Sequence, residues 1–322
     1  MTEAGKRVQK KNVGRTAFCL MTLFLLVLLL KNSTVAAKAI TAGLRLCVGT
    51  LIPSLFPLMV ASELLVESGI VERVGRLLHR PFRAVFGLRG DAACAVLLGF
   101  ICGFPVGTKC AVSLYRRGAL GEKEFCRVLA FSNQPSSAFL VYTVGGAMFG
   151  DLRFGLCLYL ATLLSATAVQ LVLRERKKDT SQKGVYDQAP TALPSFPDAL
   201  AKAVSGSALS LLSICAFVVF FSAIVESLAY LATGLSLSLP ATTLLFSLFE
   251  LTGGVSHAAL CAPKLAPILC ALAVGWGGLS VHFQLFHLVG ETPFSLTSYF
   301  FTKLAQGVLN IPIFLLLWQW VG

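Results

Sequence analysis

The sequence predicts an all-α polytopic membrane protein with two inverted-topology repeats, each holding a re-entrant helical hairpin and a broken transmembrane helix. Three observations lead there. Of 322 residues, 56% are hydrophobic and only 13% charged, whereas soluble domains run near about 25% charged. Most of the 27 Lys and Arg gather in four short stretches, 1–16, 72–89, 116–127 and 174–202. The apolar runs on either side of a polar linker are interrupted in a similar order. At about 20 apolar residues per span, the chain holds roughly six to nine membrane segments.

This composition excludes a soluble enzyme, a disordered tail and a disulfide-rich secreted module. The net charge of +12 follows the positive-inside distribution of cytoplasmic loops. No basic stretch carries the interleaved aromatics of a nucleic-acid module. The ten Cys lie mostly inside apolar runs without a C-x-x-C pair, so they read as small hydrophobes rather than metal ligands or disulfides.

Taken in order, residues 1–39 are a basic N-terminus and a signal-anchor helix over 17–30. A signal peptide ending near Ala37-Lys38-Ala39 is the alternative. A helix from about Gly43 to Val66 follows. Over 70–87, Arg73, Arg76, Arg80 and Arg83 alternate with Val74, Leu77, Leu78 and Phe82, the pattern of a helix lying on the inner membrane surface. Residues 91–115 are apolar but broken at GFICGFPVGTK, with basic clusters on both sides, which predicts a re-entrant hairpin. Residues 124–149 cross with an interruption at Asn133-Gln134-Pro135-Ser136-Ser137, and 152–173 cross back. The stretch 174–202 reads as a cytoplasmic linker.

Beyond it, 204–231 is a crossing, and 235–254 is a shorter apolar segment whose crossing stays open. Residues 265–289 are read as a second hairpin turning at GWGGLSVH. Residues 295–320 are read as a second broken crossing at Asn310-Ile311-Pro312. The halves, 40–173 and 203–322, align at a shift of 163 residues (Gly43 on Gly206, Glu63 on Glu226, Gly90 on Gly253), then at about 175 for the hairpins and 177 for the broken helices. The placement of charge turns the second half over relative to the first. Inverted repeats with broken helices are the architecture of secondary transporters.

Candidate site residues cluster at the breaks. Gly103, Pro105 and Gly107 allow a tight turn, and N–H groups freed there favour an anion. Lys109 lies just past the tip. Either it is a functional cation or it snorkels to the membrane edge. In the second half Gly277 and Gly278 make the turn, with Ser280, His282 and Gln284 polar. Asn133, Gln134 and Ser136, and later Asn310, lie beside prolines at membrane depth. They serve either as ligands or as helix-to-helix glue. Glu63 and Glu226, matched by the repeat, are candidates for a coupling ion or are interfacial. Glu250 and His257 are unassigned. No H-E-x-x-H, Walker A or G-x-S-x-G is present, so no catalytic residue, metal or cofactor is expected.

GFICGFPVGTK followed by SLYRRGALGEKEFCRVLAFSNQPS, together with FELTGG and GWGGLSVHFQ, resembles the YlbJ-like sporulation integral membrane proteins over roughly 40–320. The resemblance implies a Gate, or nucleoside-recognition, domain similar to the core of concentrative nucleoside transporters. It also implies dipicolinate as substrate, moved across the outer forespore membrane. Phe104 and Trp276 then flank an aromatic ring, while Lys109 and the hairpin tips hold its carboxylates. One departure stands out: on this reading the second half has no counterpart to 152–173. The expected partners are a small organic anion and the lipid bilayer, both termini are cytoplasmic, and homo-oligomerisation stays open. A nucleoside carrier and a non-transporting scaffold acting through the basic linker are the alternatives.

Overall fold

The computed structural model describes residues 3–174, 194–231, 237–292 and 294–321. Among them the chain is helical throughout, with no strand. Five helices are long and apolar enough to cross a membrane. Their outer faces stay apolar and exposed: Leu152, Leu156, Leu160 and Leu164 line one side of a single helix at a spacing of four, as a lipid-facing stripe does. The protein is an integral membrane protein of the all-α class.

Helix α1 (Glu3–Lys31) leads into α2 (Ser33–Leu46), a π-helical turn (Cys47–Leu51) and α3 (Ile52–Glu67). Together α2 and α3 make one long rod that begins at Ser33 rather than Gly43. Helix α4 (Ile70–Phe86) is bounded by Gly69 and Gly87, both at positive φ. Arg73, Arg76, Arg80 and Arg83 are exposed, while Val74, Phe82 and Phe86 pack on the core. The chain then turns by 91° into α5 (Gly90–Cys102).

Helices α5 and α6 (Phe104–Arg116) fold back on each other at Gly103. A Cβ on Gly107 would meet the Gly99 Cα at 2.6 Å and the Ser132 carbonyl oxygen at 2.9 Å. The absent side chain lets α5, α6 and α7 (Glu122–Ser132) touch backbone to backbone, as small residues do at membrane helix contacts. After an irregular stretch at 133–136 the chain resumes as a π-helical segment, Phe139–Met148. That segment packs antiparallel on α8 (Leu152–Val172), with Gly145 against Gly155.

Helix α9 (Phe196–Leu231) begins inside the stretch read as linker. Ser195 explains the early start, because its Oγ accepts from the Asp198 N–H at 3.3 Å, an N-terminal cap. Residues 175–193 of that linker lie outside the described residues. Helix α9 runs antiparallel to α2 and α3: Gly43 meets Val219, and Lys202 pairs with Glu67 at 2.6 Å.

The second half departs from the sequence reading. Helices α10 (Leu239–Phe249) and α11 (Leu251–Ala259) form the second hairpin, reversing at Glu250. Gly254 lies against Ser247, and the His257 ring stacks on Phe246 at 4.0 Å. Thus 235–254 is not a separate crossing. Helices α12 (Ala266–Trp276) and α13 (Gly278–Val289) do not fold back; they continue as one apolar span, Ala266–Val289, broken at Gly277. The expected hairpin at 265–289 is therefore a broken helix. Two consecutive left-handed glycines, φ 90° and 80°, offset the axis without reversing it.

Helix α14 (Leu296–Val321) is continuous with Pro312 inside it, so the break expected at Asn310-Ile311-Pro312 does not occur. Helix α14 packs antiparallel on α8, with Ser165 at Asn310 and Cys157 at the Leu317 carbonyl. Each half thus has a long rod, a hairpin, a broken helix and a closing helix, and α14 is the counterpart of α8 that the sequence reading lacked. The hairpins match at a shift near Gly103 on Glu250, not at 175.

Candidate functional site where four chain breaks meet

Each half contributes one hairpin tip and one helix break, and all four meet. In the first half a Cβ on Gly103, whose φ is +95°, would lie 3.0 Å from the Ser136 Cβ. In the second half a Cβ on Gly278 would lie 3.0 Å from the Leu251 nitrogen. Each tip therefore rests on the break of the following helix. Only glycine tolerates both the positive φ and the close approach.

A single pocket opens between these contacts. Gly103, Phe104 and Pro105 form one side, Pro135 and Ser136 the next, Glu250 to Thr252 the third, and Ser280 with Gln284 the fourth. Met59 of α3 and Val218 of α9 also line it. Of the sequence candidates, Gly103, Phe104, Pro105, Ser136, Ser280 and Gln284 line this pocket. Gln284 Nε2 donates to Ser280 Oγ at 3.2 Å, and the buried Gln284 Oε1 has no partner among the described residues.

Glu250, unassigned from sequence, is the acidic group of the pocket. It is 3% exposed. Its carboxylate accepts from the Thr252 N–H at 3.0 Å and the Gly253 N–H at 2.5 Å, capping α11 from within the chain. Among the described residues it forms no ion pair. The available signal was an acid inside an apolar run, without a glycine or proline at the turn itself such as marked the first hairpin.

A buried polar layer lies behind the breaks. Asn133 Nδ2 donates to the Tyr299 hydroxyl, which lies 3.0 Å from His282 Nδ1. Gln306 Nε2 donates to Gln134 Oε1 at 2.6 Å. Lys303 Nζ donates to the Asn133 carbonyl at 2.9 Å and to Gln306 Oε1 at 2.8 Å. Asn310 Nδ2 donates to the Ala271 carbonyl at 2.8 Å. Asn133, Gln134, His282 and Asn310 thus come together in this layer rather than on the pocket wall. Tyr299, Lys303 and Gln306 were missed, although a lysine in an apolar helix is itself a signal.

The remaining candidates lie elsewhere. Gly107 is a packing glycine in the first hairpin. Gly277 is the left-handed cap between α12 and α13. Trp276 packs edge-on against His282 and donates to the Leu248 carbonyl at 3.1 Å. Lys109 does not line the main pocket. It pairs with Glu63 at 2.9 Å and borders a second pocket with Arg116 and Arg117. Glu226 of α9 acts electrostatically on His257 of α11. The two glutamates therefore hold equivalent places, each on a long rod beside a basic residue of a hairpin's second arm.

Rods, hairpins and broken helices around one pocket define a polytopic all-α membrane protein. Comparison with known proteins agrees. The family model described as "Gate: Nucleoside recognition" matches residues 48–150, from the end of α2 through the first hairpin and first broken helix. The chain is 27% identical to the sporulation integral membrane protein YlbJ of Bacillus subtilis (strain 168), over 92% of this chain and 81% of that protein. The resemblance to the YlbJ-like proteins therefore extends over nearly the whole chain. No solved structure gives a significant match.

Proposed function

We propose that the protein is a membrane transporter of a small organic anion, with dipicolinate moved out of the mother cell during sporulation as the substrate. One observation carries the transport reading: three interruptions of helical backbone, at Gly103, Pro135-Ser136 and Glu250, converge with the start of α13 on one pocket. Irregular backbone at membrane depth persists only where it is buried in protein or lines a cavity. The antiparallel course of α3 and α9, and of α8 and α14, supports two inverted repeats working as alternating halves. On this reading the hairpins are re-entrant, α4 lies at the inner membrane surface, and both termini are cytoplasmic.

The first turn of α6 opens on the pocket at Phe104. Its N–H groups suit a carboxylate, and Phe104 suits the face of an aromatic ring. Gln284 and Ser280 offer polar contacts at the far side. Lys109, tied to Glu63, serves as an anion-attracting cation at the approach rather than as a pocket ligand.

A nucleoside is the second reading, and Glu250 favours it. A buried carboxylate inside the pocket accepts from hydroxyl groups and repels a dianion. The description of the matching family points the same way.

Uptake into proteoliposomes separates the two readings. Dipicolinate uptake should saturate and resist excess nucleoside. Glu250→Gln should increase dipicolinate uptake, since it removes the one acidic group from the pocket lining. Saturable nucleoside uptake, lost in Glu250→Gln, establishes the second reading instead. If folded protein exposed on both faces moves neither solute, transport is wrong and the scaffold reading stands; scrambling 174–202 should then abolish function.

A further inference from the structure

We propose that Lys303 is the coupling group of this carrier, a tethered cation that stands where a dissociable metal cation would bind and makes transport respond to protons. The inference rests on the transport reading and names its driving ion.

Lys303 is 2% exposed, deep in α14. Its ammonium sits at the carboxyl end of α7, where Asn133 is the terminal cap. In carriers with broken helices, unwound carbonyls and half-helix C-termini are where the coupling cation is held. Here the chain supplies that positive charge itself, and the negative end of the α7 dipole stabilises it.

No carboxylate among the described residues pairs with it. The Glu250 oxygens each accept an N–H of the α11 backbone instead. The titratable groups around it are His282 of α13 and Tyr299 of its own helix, themselves hydrogen-bonded together. Helix α7 brings Arg127, turned to the Phe86 and Gln170 carbonyls. Helix α8 brings Tyr159, which donates to the Phe100 carbonyl. Helix α12 brings the buried Cys270.

An ammonium has three donors and a neutral amine two. Lys303 has two acceptors, the Asn133 carbonyl and Gln306 Oε1. Loss of one proton therefore leaves both hydrogen bonds in place and removes a buried charge that is expensive to keep. The proton leaves Nζ for water reaching the break from one side of the membrane, and a proton returns from the other side. No other bond changes.

Lys303→Arg tests this, because a guanidinium keeps its charge at every pH of transport. In proteoliposomes, wild-type dipicolinate uptake should rise several-fold under an imposed pH gradient and ignore replacement of Na⁺ by K⁺. In Lys303→Arg the response to the pH gradient should vanish, while exchange of labelled for unlabelled dipicolinate continues. A merely structural lysine would lower both fluxes together and keep the response. Should the variant not fold, a pH dye trapped in wild-type vesicles reads proton movement directly. Uptake driven by Na⁺, uptake without proton movement, or a pH response retained in Lys303→Arg overturns the inference alone. No solute uptake by folded wild type overturns the transport reading, and this inference with it.

Discussion

The two hairpins share a skeleton and differ in chemistry at their tips. The first turns at Gly103, a residue without a side chain, and leaves the first turn of α6 facing the pocket. The second turns at Glu250, whose carboxylate oxygens each accept one N–H of the first turn of α11 and keep a lone pair free. One tip thus offers donors and the other an acceptor. The second arms repeat the contrast, with a direct Lys109–Glu63 ion pair in one half and a His257 near Glu226 in the other. A repeated backbone need not give a symmetric site. Here one tip carries no side chain and the other carries Glu250, the one acidic residue of the pocket lining, so the two ends of the pocket differ in chemistry.

The largest effect should come from breaking the first tip. Gly103→Val forces a branched side chain into positive φ and against Ser136, and such strain costs about 1–3 kcal/mol before the clash. Uptake should fall more than tenfold. Gly118→Val, at φ 74° with open space around it, is the control that carries strain without a tip contact. Equal losses in both would show that the tip has no special role.

A smaller effect separates the two duties of Glu250. Glu250→Ala removes cap and charge, and should lower thermal stability by about 1 kcal/mol. Glu250→Gln keeps an acceptor for the cap and should recover much of that stability in a detergent melting assay. If both variants melt alike, the carboxylate is not the cap that sets the second tip apart.

The smallest effect belongs to the second arms. The Lys109–Glu63 pair is partly exposed, so a double-mutant cycle with Lys109→Met and Glu63→Gln should give a coupling of about 1 kcal/mol or less. The corresponding cycle on His257 and Glu226 should give less still, because their interaction is electrostatic without a direct contact. A larger coupling in the second pair would reverse the comparison.

Legibility in the sequence followed the same divide. Gly103 and Pro105 announce a turn by local chemistry, so the first hairpin was readable. Glu250 reverses the chain through an extended residue that itself caps α11 with its side chain, and the Gly253-Gly254 pair beside it stands three residues past the turn rather than at it. Gly277 and Gly278 look like a reversal but only shift a helix, because two residues at positive φ do not specify the direction in which the chain continues. Pro312 bends no helix into two, since its neighbours keep α14 intact. Ser136, Ser280 and Gln284 reached the pocket because polar residues beside breaks are a sound signal. Lys303 and Gln306 lie in an unbroken helix, where only tertiary packing reveals that they back the first break.

Helix α4 has a mechanical consequence. It lies crosswise, at 91° to the arm it feeds, with a row of arginines on one side. On the proposed topology its exposed Leu77 and Val85 meet lipid, while Val74, Phe82 and Phe86 tie it to the core. It would then set the depth of the first hairpin, as a pontoon does for a mast. Only residues 232–238 separate α9 from α10, too few for a second helix of its 17 residues. Among the described residues no such helix precedes the second hairpin, so on the proposed topology a thinner or thicker bilayer would shift the two tips relative to each other rather than together.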